Sequence, residues 1–177
     1  MRRRLSALLL VAAVSGILAA TVADAKGRTP AAARIPAIPN LPEVANSCPV
    51  PAQYRRAFEA AARDTDLPLA LLVAVGQVES NLRADARSSS DARGLLQVLP
   101  STAADLELDA DRPESNVLAG ARYLRLLLDR YHSPDLALAA YNAGPTAVTK
   151  YAGAPTGATI TYVANVTDLW RKLRGCR

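Results

Sequence analysis

Leu69-Ala70-Leu71-Leu72-Val73-Ala74-Val75-Gly76-Gln77-Val78-Glu79-Ser80-Asn81 is the stretch on which the reading of this chain turns. Pro68 stands immediately before it. Proline suits the first turn of a helix, so a helix is predicted from Pro68 to about Ser80. Leu72 and Val75 lie seven and four residues before Glu79, which puts all three on one helical stripe. A carboxylate on an apolar stripe is unusual. It also falls in the last turn, where unpaired carbonyls make the helix end partly negative. Desolvation and that negative end both favour the neutral acid, so the pKa of Glu79 is expected to be raised. A carboxylic acid still protonated near neutral pH can give its proton to a leaving oxygen. The bland counterpart is a partly exposed glutamate paired with an arginine.

Outward from this helix, the rest of the domain also reads as mainly helical. Pro51 opens a helix that runs to about Asp64. After Pro113, Val117, Ala121, Leu124, Leu128 and Tyr131 recur at steps of three and four, one apolar stripe that predicts a central helix. Pro134 begins a short helix ending near Asn142, with Gly144 as its C-terminal cap. A last helix from about Thr159 to Leu173 shows Tyr162, Val166, Leu169 and Leu173 on one face. Between Arg83 and Gly94 lies a polar, serine-rich loop in which a small hairpin is possible, and no strand signal is strong. Little or no β-structure is expected.

The chain has 177 residues, half of them hydrophobic and 21% charged, which allows one packed domain plus extensions. Arg2, Arg3 and Arg4 precede an apolar run from Leu5 to about Ala20, followed by Ala23-Asp24-Ala25. A basic start, an apolar middle and a small-x-small end predict a secretory signal peptide over residues 1–25, cut after Ala25. An uncleaved anchor is the alternative, and Ser6, Ser15, Gly16 and Thr21 interrupt the run it would need. Residues 26–47 read as a linker broken by Pro30, Pro36, Pro39 and Pro42, and the compact domain is expected over residues 48–177. The formal charge of +5 falls to about +3 once the signal peptide, with three Arg and one Asp, is removed. A basic exported protein suits an anionic cell envelope. Nucleic acid is not expected, because no basic run or basic helix face appears. Export implies an oxidising compartment, so the two cysteines, Cys48 and Cys176, predict one disulfide across the domain; free thiols or pairing between chains are the alternatives. One histidine, His132, and two cysteines leave little for a metal site, and no dinucleotide or phosphate-loop pattern appears, so no cofactor is expected.

Four short strings then carry a resemblance. Val78-Glu79-Ser80-Asn81, Gly94-Leu95-Leu96-Gln97-Val98-Leu99-Pro100-Ser101-Thr102-Ala103, Ala140-Tyr141-Asn142-Ala143-Gly144-Pro145 and Tyr162-Val163 stand in this order. Together they resemble the soluble lytic transglycosylase family, which is related to goose-type lysozyme, over about residues 52–170. The step of 18 residues from Glu79 to Gln97 fits the family pattern. The resemblance implies a lysozyme-like fold and an enzyme that cleaves the glycan strands of peptidoglycan. It implies that Glu79 is the catalytic acid and that Ser88, Gln97, Tyr141, Asn142 and Tyr162 bind substrate. Amides and hydroxyls can hold the N-acetyl and hydroxyl groups of an aminosugar, and tyrosine can pack on a sugar ring. In that family reaction Glu79 protonates the glycosidic oxygen after N-acetylmuramic acid and then acts as base for the sugar's own 6-hydroxyl, giving a 1,6-anhydro product.

The chain also departs from the family. Asp91 stands where glycine is usual, and Leu95-Leu96-Gln97 replaces Leu-Met-Gln, a change that conserves volume. Ala158 stands four residues before Tyr162, where a glutamate is often found, and the segment Gly153-Ala154-Pro155-Thr156-Gly157 looks shortened. Two alternatives therefore stay open. A lysozyme-type hydrolase of the inverting kind needs a second carboxylate about 6.5–9.5 Å from the first, for which Asp85 and Asp91 are the candidates. A non-catalytic wall-binding or assembly protein could keep the same fold, which the aromatic content of 5% mildly favours. A secreted monomer in the periplasmic or cell-wall space, with no stable membrane insertion after cleavage, is expected.

Overall fold

Prolines mark the starts of six of the seven helices in the computed structural model, which describes residues 47–177; the exception begins at Gly157 behind a Thr156 cap. The predicted signal peptide and all but the last residue of the predicted linker lie outside the described residues. Seven helices follow one another: α1 Ala52–Thr65, α2 Leu69–Ser80, α3 Pro100–Asp105, α4 Pro113–Tyr131, α5 Pro134–Ala143, α6 Pro145–Tyr151 and α7 Gly157–Lys172. Prolines take the first helical positions of α3 to α6. Pro51 and Pro68 stand one residue outside α1 and α2, with ψ still extended at 136° and 127°. Their fixed φ suits either position, which is why sequence reading placed them one residue too far in. No strand forms among the described residues. The serine-rich segment instead makes two isolated antiparallel bridges, Arg87 with Arg93 and Arg93 with Val98.

The helix buried all round is α2. Every residue from Ala70 to Gly76 is buried, and α2 packs against α1 and α7. The segment predicted to be central, α4, keeps a solvent face and packs against α1, α3 and α5. Phe58 of α1, Leu72 and Val73 of α2, Leu124 of α4, Leu138 of α5 and Val166 of α7 are fully buried in one cluster. Each contributes about 1.5–3 kcal/mol by leaving water. Gly76 permits the closest approach: a Cβ there would meet Leu82, Leu96 and Phe58 at 2.9–3.2 Å. His132 is exposed at the C-cap of α4, with φ 50°.

The chain ends are joined. Cys48 and Cys176 form a disulfide with Cα atoms 4.8 Å apart, across 128 residues of sequence. The backbone N–H of Cys48 also donates to the carbonyl of Arg177. No helix among the described residues is long and apolar enough to cross a membrane.

Candidate active site

Glu79 is the second-last residue of α2, one turn beyond the fully buried Leu72–Val75 stretch. The helix stops at Asn81, whose left-handed φ of 55° lets its N–H and that of Leu82 turn back onto Gln77 and Gly76. Ser80 fastens this end to the next segment by donating to the carbonyl of Leu95 at 2.8 Å. The Glu79 carboxyl therefore leaves the core at a rigid helix end. Burial pushes it up to about 7. One hydrogen bond works the other way: the Tyr162 hydroxyl of α7 donates to Glu79 Oε1 at 2.7 Å and favours the charged form.

Residues 83–98 fold over this end as two small turns. In the first, Asp91 N–H donates to the Ser88 carbonyl and Ser88 N–H to the Ala92 carbonyl, closing a three-residue loop. The last loop position in this geometry needs a left-handed backbone, and Asp91 supplies it at φ 63°. That accounts for the glycine the resemblance leads one to expect here, and aspartate tolerates the conformation better than most residues. In the second turn Arg93 and Val98 exchange both backbone hydrogen bonds around Gly94-Leu95-Leu96-Gln97. Gln97 also lies at positive φ, 46°, and its Nε2 donates to the carbonyls of Ala86 and Gly94. Those bonds occupy the amide nitrogen and leave the amide oxygen for a ligand.

The wall opposite comes from α4 and α5. Tyr141 donates its hydroxyl to the Leu96 carbonyl at 2.8 Å, and its ring packs on Tyr123 with centroids 5.4 Å apart. Burial first, and then the nearby Glu79, push the Tyr141 phenol well above its ordinary range. The Gly94–Gln97 turn is held from below by Asn116, which is fully buried. Asn116 accepts from Leu96 N–H at 2.9 Å and donates to the carbonyls of Arg93 and Ala110 at 2.7 and 2.9 Å.

Together these elements line a cavity of about 240 Å³ formed by Glu79, Ser88, Ser90, Ala92, Gln97, Leu99, Tyr141 and Asn142. A second cavity of about 290 Å³ continues from it through shared Ser90, Gln97, Leu99, Tyr141 and Asn142 to Thr102, Tyr123 and Gly144. Four of the five residues expected to bind substrate (Ser88, Gln97, Tyr141 and Asn142) thus line one cleft with Glu79. Tyr162 does not line it: it is 8% exposed and reaches the site only through its bond to the carboxyl. Ala158 is exposed at the start of α7, and neither it nor the Gly153–Gly157 segment lines the cleft. Sequence reading missed Ser90, Thr102, Tyr123 and Asn116. Asn116, Gly120 and Tyr123 stand at steps of four and three, a polar and small stripe beside the apolar one on α4 that could have signalled a helix face turned to the site. A larger cavity, about 370 Å³ between α5 and α7, has a mostly apolar wall and shares no residue with this cleft. It holds neither the raised-pKa acid nor converging amides, so the site is placed at Glu79.

Asp85 and Asp91 stand apart from the cleft lining. Asp85 is exposed and pairs with Arg83. Asp91 turns away to Arg93 and Arg87, whose charges and hydrogen bonds, those of Arg93 first, hold its carboxyl below the usual range. Among the described residues that line the two cavities, Glu79 is the one carboxylate.

Known proteins resemble this chain in sequence and in fold. A membrane-bound lytic murein transglycosylase F of Alkalilimnicola ehrlichii is 40% identical over 101 residues, covering 52% of this chain and 22% of the relative. A putative soluble lytic murein transglycosylase of Haemophilus influenzae is 34% identical over 119 residues, covering 61% and 20%. Among solved structures, an inactive mutant of the lytic transglycosylase Slt from Pseudomonas aeruginosa superposes with a TM-score of 0.64 at 26% identity, over 72% of this chain and 25% of that one. The complex of the 70-kDa soluble lytic transglycosylase with bulgecin A gives 0.63 at 25% identity, over 70% and 24%. The chain therefore spans about a fifth of the curated relatives and a quarter of the solved ones. The fold is the mainly helical, lysozyme-like one expected. The transglycosylase SLT domain pattern matches residues 56–162, well over half of the chain and all of the cleft, and the chain belongs to that family.

Proposed function

We propose that the protein is an exported lytic transglycosylase that cleaves the glycan strands of peptidoglycan, with residues 1–25 as signal peptide, 26–47 as linker and 48–177 as catalytic domain. The observation that carries the reading is Glu79: a buried carboxyl raised to about 7, opening into a cleft of amide and hydroxyl side chains whose described lining holds no second carboxylate. A carboxylic acid of that pKa is protonated in a useful fraction of molecules near neutrality and is still acidic enough to donate. It gives its proton to the glycosidic oxygen after N-acetylmuramic acid, and the bond from that oxygen to C1 breaks. The resulting carboxylate, favoured by the Tyr162 hydrogen bond, then takes the proton of the sugar's 6-hydroxyl as that oxygen bonds to C1. The product is a 1,6-anhydro sugar; water is not consumed, and Glu79 ends protonated as it began. Gln97, Asn142 and Ser88 offer amide and hydroxyl groups for the N-acetyl and hydroxyl groups of the glycan. Leu99, 41% exposed on the cleft, offers an apolar wall.

An inverting hydrolase would need a second carboxylate to activate water on the opposite face of the sugar. The ion-paired, outward placement of Asp85 and Asp91 speaks against that reading. Mass spectrometry of purified sacculi after digestion tests the proposal. The parent should release 1,6-anhydro products, and Glu79→Gln, folded but unable to donate a carboxylic proton, should lose activity by about 10²-fold or more. Reducing-end products from the parent would overturn the reaction, and a Glu79→Gln variant keeping more than about a tenth of the activity would overturn the acid.

A further inference from the structure

The turn that walls the cleft carries a closed ring of four charges. Asp91 accepts from Arg93 twice, from Nε at 3.2 Å and Nη2 at 2.8 Å, and from Arg87 Nη1 at 3.2 Å. The same two arginines reach Asp111, in the segment before α4: Arg87 Nη2 at 3.1 Å and Arg93 through Nη1. Single exposed ion pairs hold little. Here each arginine bridges the same two carboxylates, the Arg93–Asp91 contact is two-pronged, and the Arg93 side chain is only 22% exposed. Asp91 also stands in the left-handed backbone region, at φ 63°, where a glycine would rest more easily. Its side chain is the feature that offsets this. Neither Asp91 nor Asp111 lines the cleft, yet Ser88, Ser90 and Ala92, on the turn they hold, all do.

We propose that Asp91 is a positioning residue: through Arg87 and Arg93 it clamps the Ser88–Ala92 turn to Asp111 and so fixes one wall of the glycan cleft. The proposal rests on the reading of that cleft as the glycan site. Ser88 is the side chain placed by the clamp. Its Oγ accepts from the N–H groups of Ser90 and Ala92 at 3.2 and 3.0 Å, which leaves the hydroxyl proton to be given to a ligand. Both acceptor contacts depend on the turn staying closed. A loosened turn would place Ser88 and Ser90 less often where a sugar meets them, weakening binding while leaving the proton transfer at Glu79 untouched.

Two measurements on the full mature chain test this. Amide hydrogen exchange over residues 86–93 reads the clamp without any substrate, and kcat and KM on peptidoglycan strands read its consequence. In Asp91→Gly, Asp91→Asn and Asp111→Asn, exchange in this segment should quicken several-fold and KM should rise several-fold, with kcat held within about two-fold. Asp91→Gly keeps the turn's backbone geometry and Asp91→Asn keeps an acceptor, so a shared effect assigns it to the charge. The double variant Asp91→Gly with Asp111→Asn should be no worse than the poorer single change, because both act through the same arginines. In about 0.5 M salt the parent's exchange should move toward that of the variants. Unchanged exchange in all three single variants would overturn the clamp, and so would a loss carried by kcat instead of KM. A parent that cleaves no peptidoglycan would sink the functional reading, while the exchange result would still decide the clamp.

Discussion

Glu79 is held between burial, which favours its neutral form, and the Tyr162 hydroxyl, which favours its charged form. Removing the hydroxyl in Tyr162→Phe leaves burial unopposed, so the acid's pKa should rise. A hydrogen bond to a charged group is worth about 1.5–3 kcal/mol, and one pKa unit is about 1.4 kcal/mol. The proposed reaction starts from the protonated acid, so the alkaline limb of kcat/KM should move up by roughly one pH unit in Tyr162→Phe. A limb that stays in place or moves down would show that the tyrosine does not tune the acid. The same residue also carries a stability cost. Its folded pKa, about 7, lies above its ordinary value of 4.5, so the folded state holds a proton that the unfolded state has released between those pH values. Stability therefore falls as pH rises through that window, and the full penalty, up to about 3 kcal/mol, is present above it. Thermal unfolding should find Glu79→Gln more stable than the parent at about pH 8 and close to it at about pH 4. The buried carboxyl proposed as the acid was legible in the sequence because it stood on a stripe with Leu72 and Val75. Tyr162 was legible as a site residue only through the family resemblance. Its bond to Glu79 spans 83 residues, and no local pattern announces a contact of that kind.

The turn Gly94–Gln97 and the helix α4 beneath it form the unit that shapes the cleft, and sequence reading recovered only half of that unit. The apolar stripe of α4 was visible because 19 residues give the period room to repeat. Helices α3 and α6, of six and seven residues, are too short to show one and went unseen. The short bridges around Arg93 leave no alternation to detect. Asn116 was hidden because a polar residue inside a helical stripe looks like a solvent position until the turn above it is known. Asn116→Ala would leave Leu96 N–H and the Ala110 carbonyl without their partner in the interior, and would take from the Arg93 carbonyl one of its two donors, the other being Val98 N–H. The expected loss is about 3–5 kcal/mol, read as a lower urea midpoint with unchanged slope. Gly120 tests the same interface by volume. A Cβ there would lie 2.6 Å from Leu96 side-chain atoms and 2.8 Å from the Tyr141 hydroxyl. Gly120→Ala should therefore cost about 1–3 kcal/mol and, by displacing Tyr141 from the Leu96 carbonyl, lower activity more than its stability loss explains. Full activity with a normal melting temperature would contradict this account of the interface.

Across the whole molecule, the strongest single constraint is the Cys48–Cys176 bond, and it was readable from count and compartment alone. Two cysteines flanking a domain expected to be exported have one obvious partner each, whereas the packing of α2 between α1 and α7 had to be seen. The bond closes a loop of 128 residues and joins the segment before α1 to the end of α7. In the chain-entropy description a loop of that length restricts the unfolded ensemble by about 4–5 kcal/mol. In the folded state the backbone hydrogen bond from Cys48 N–H to the Arg177 carbonyl still joins the ends. Replacing both cysteines by serine should therefore lower unfolding stability by up to that amount. The same change should leave kcat and KM at moderate temperature close to those of the parent, since neither cysteine lines the cleft. Effects in the unfolded state act on the equilibrium and not on the folded site, so stability and activity should separate cleanly in this variant. The measurement is chemical unfolding of parent and double variant beside their kinetics under identical conditions. A double variant that keeps its stability would remove the entropic role of the bond. One that loses activity while still folded would mean that the ends of the domain are coupled to Glu79 through α7, the helix that carries Tyr162.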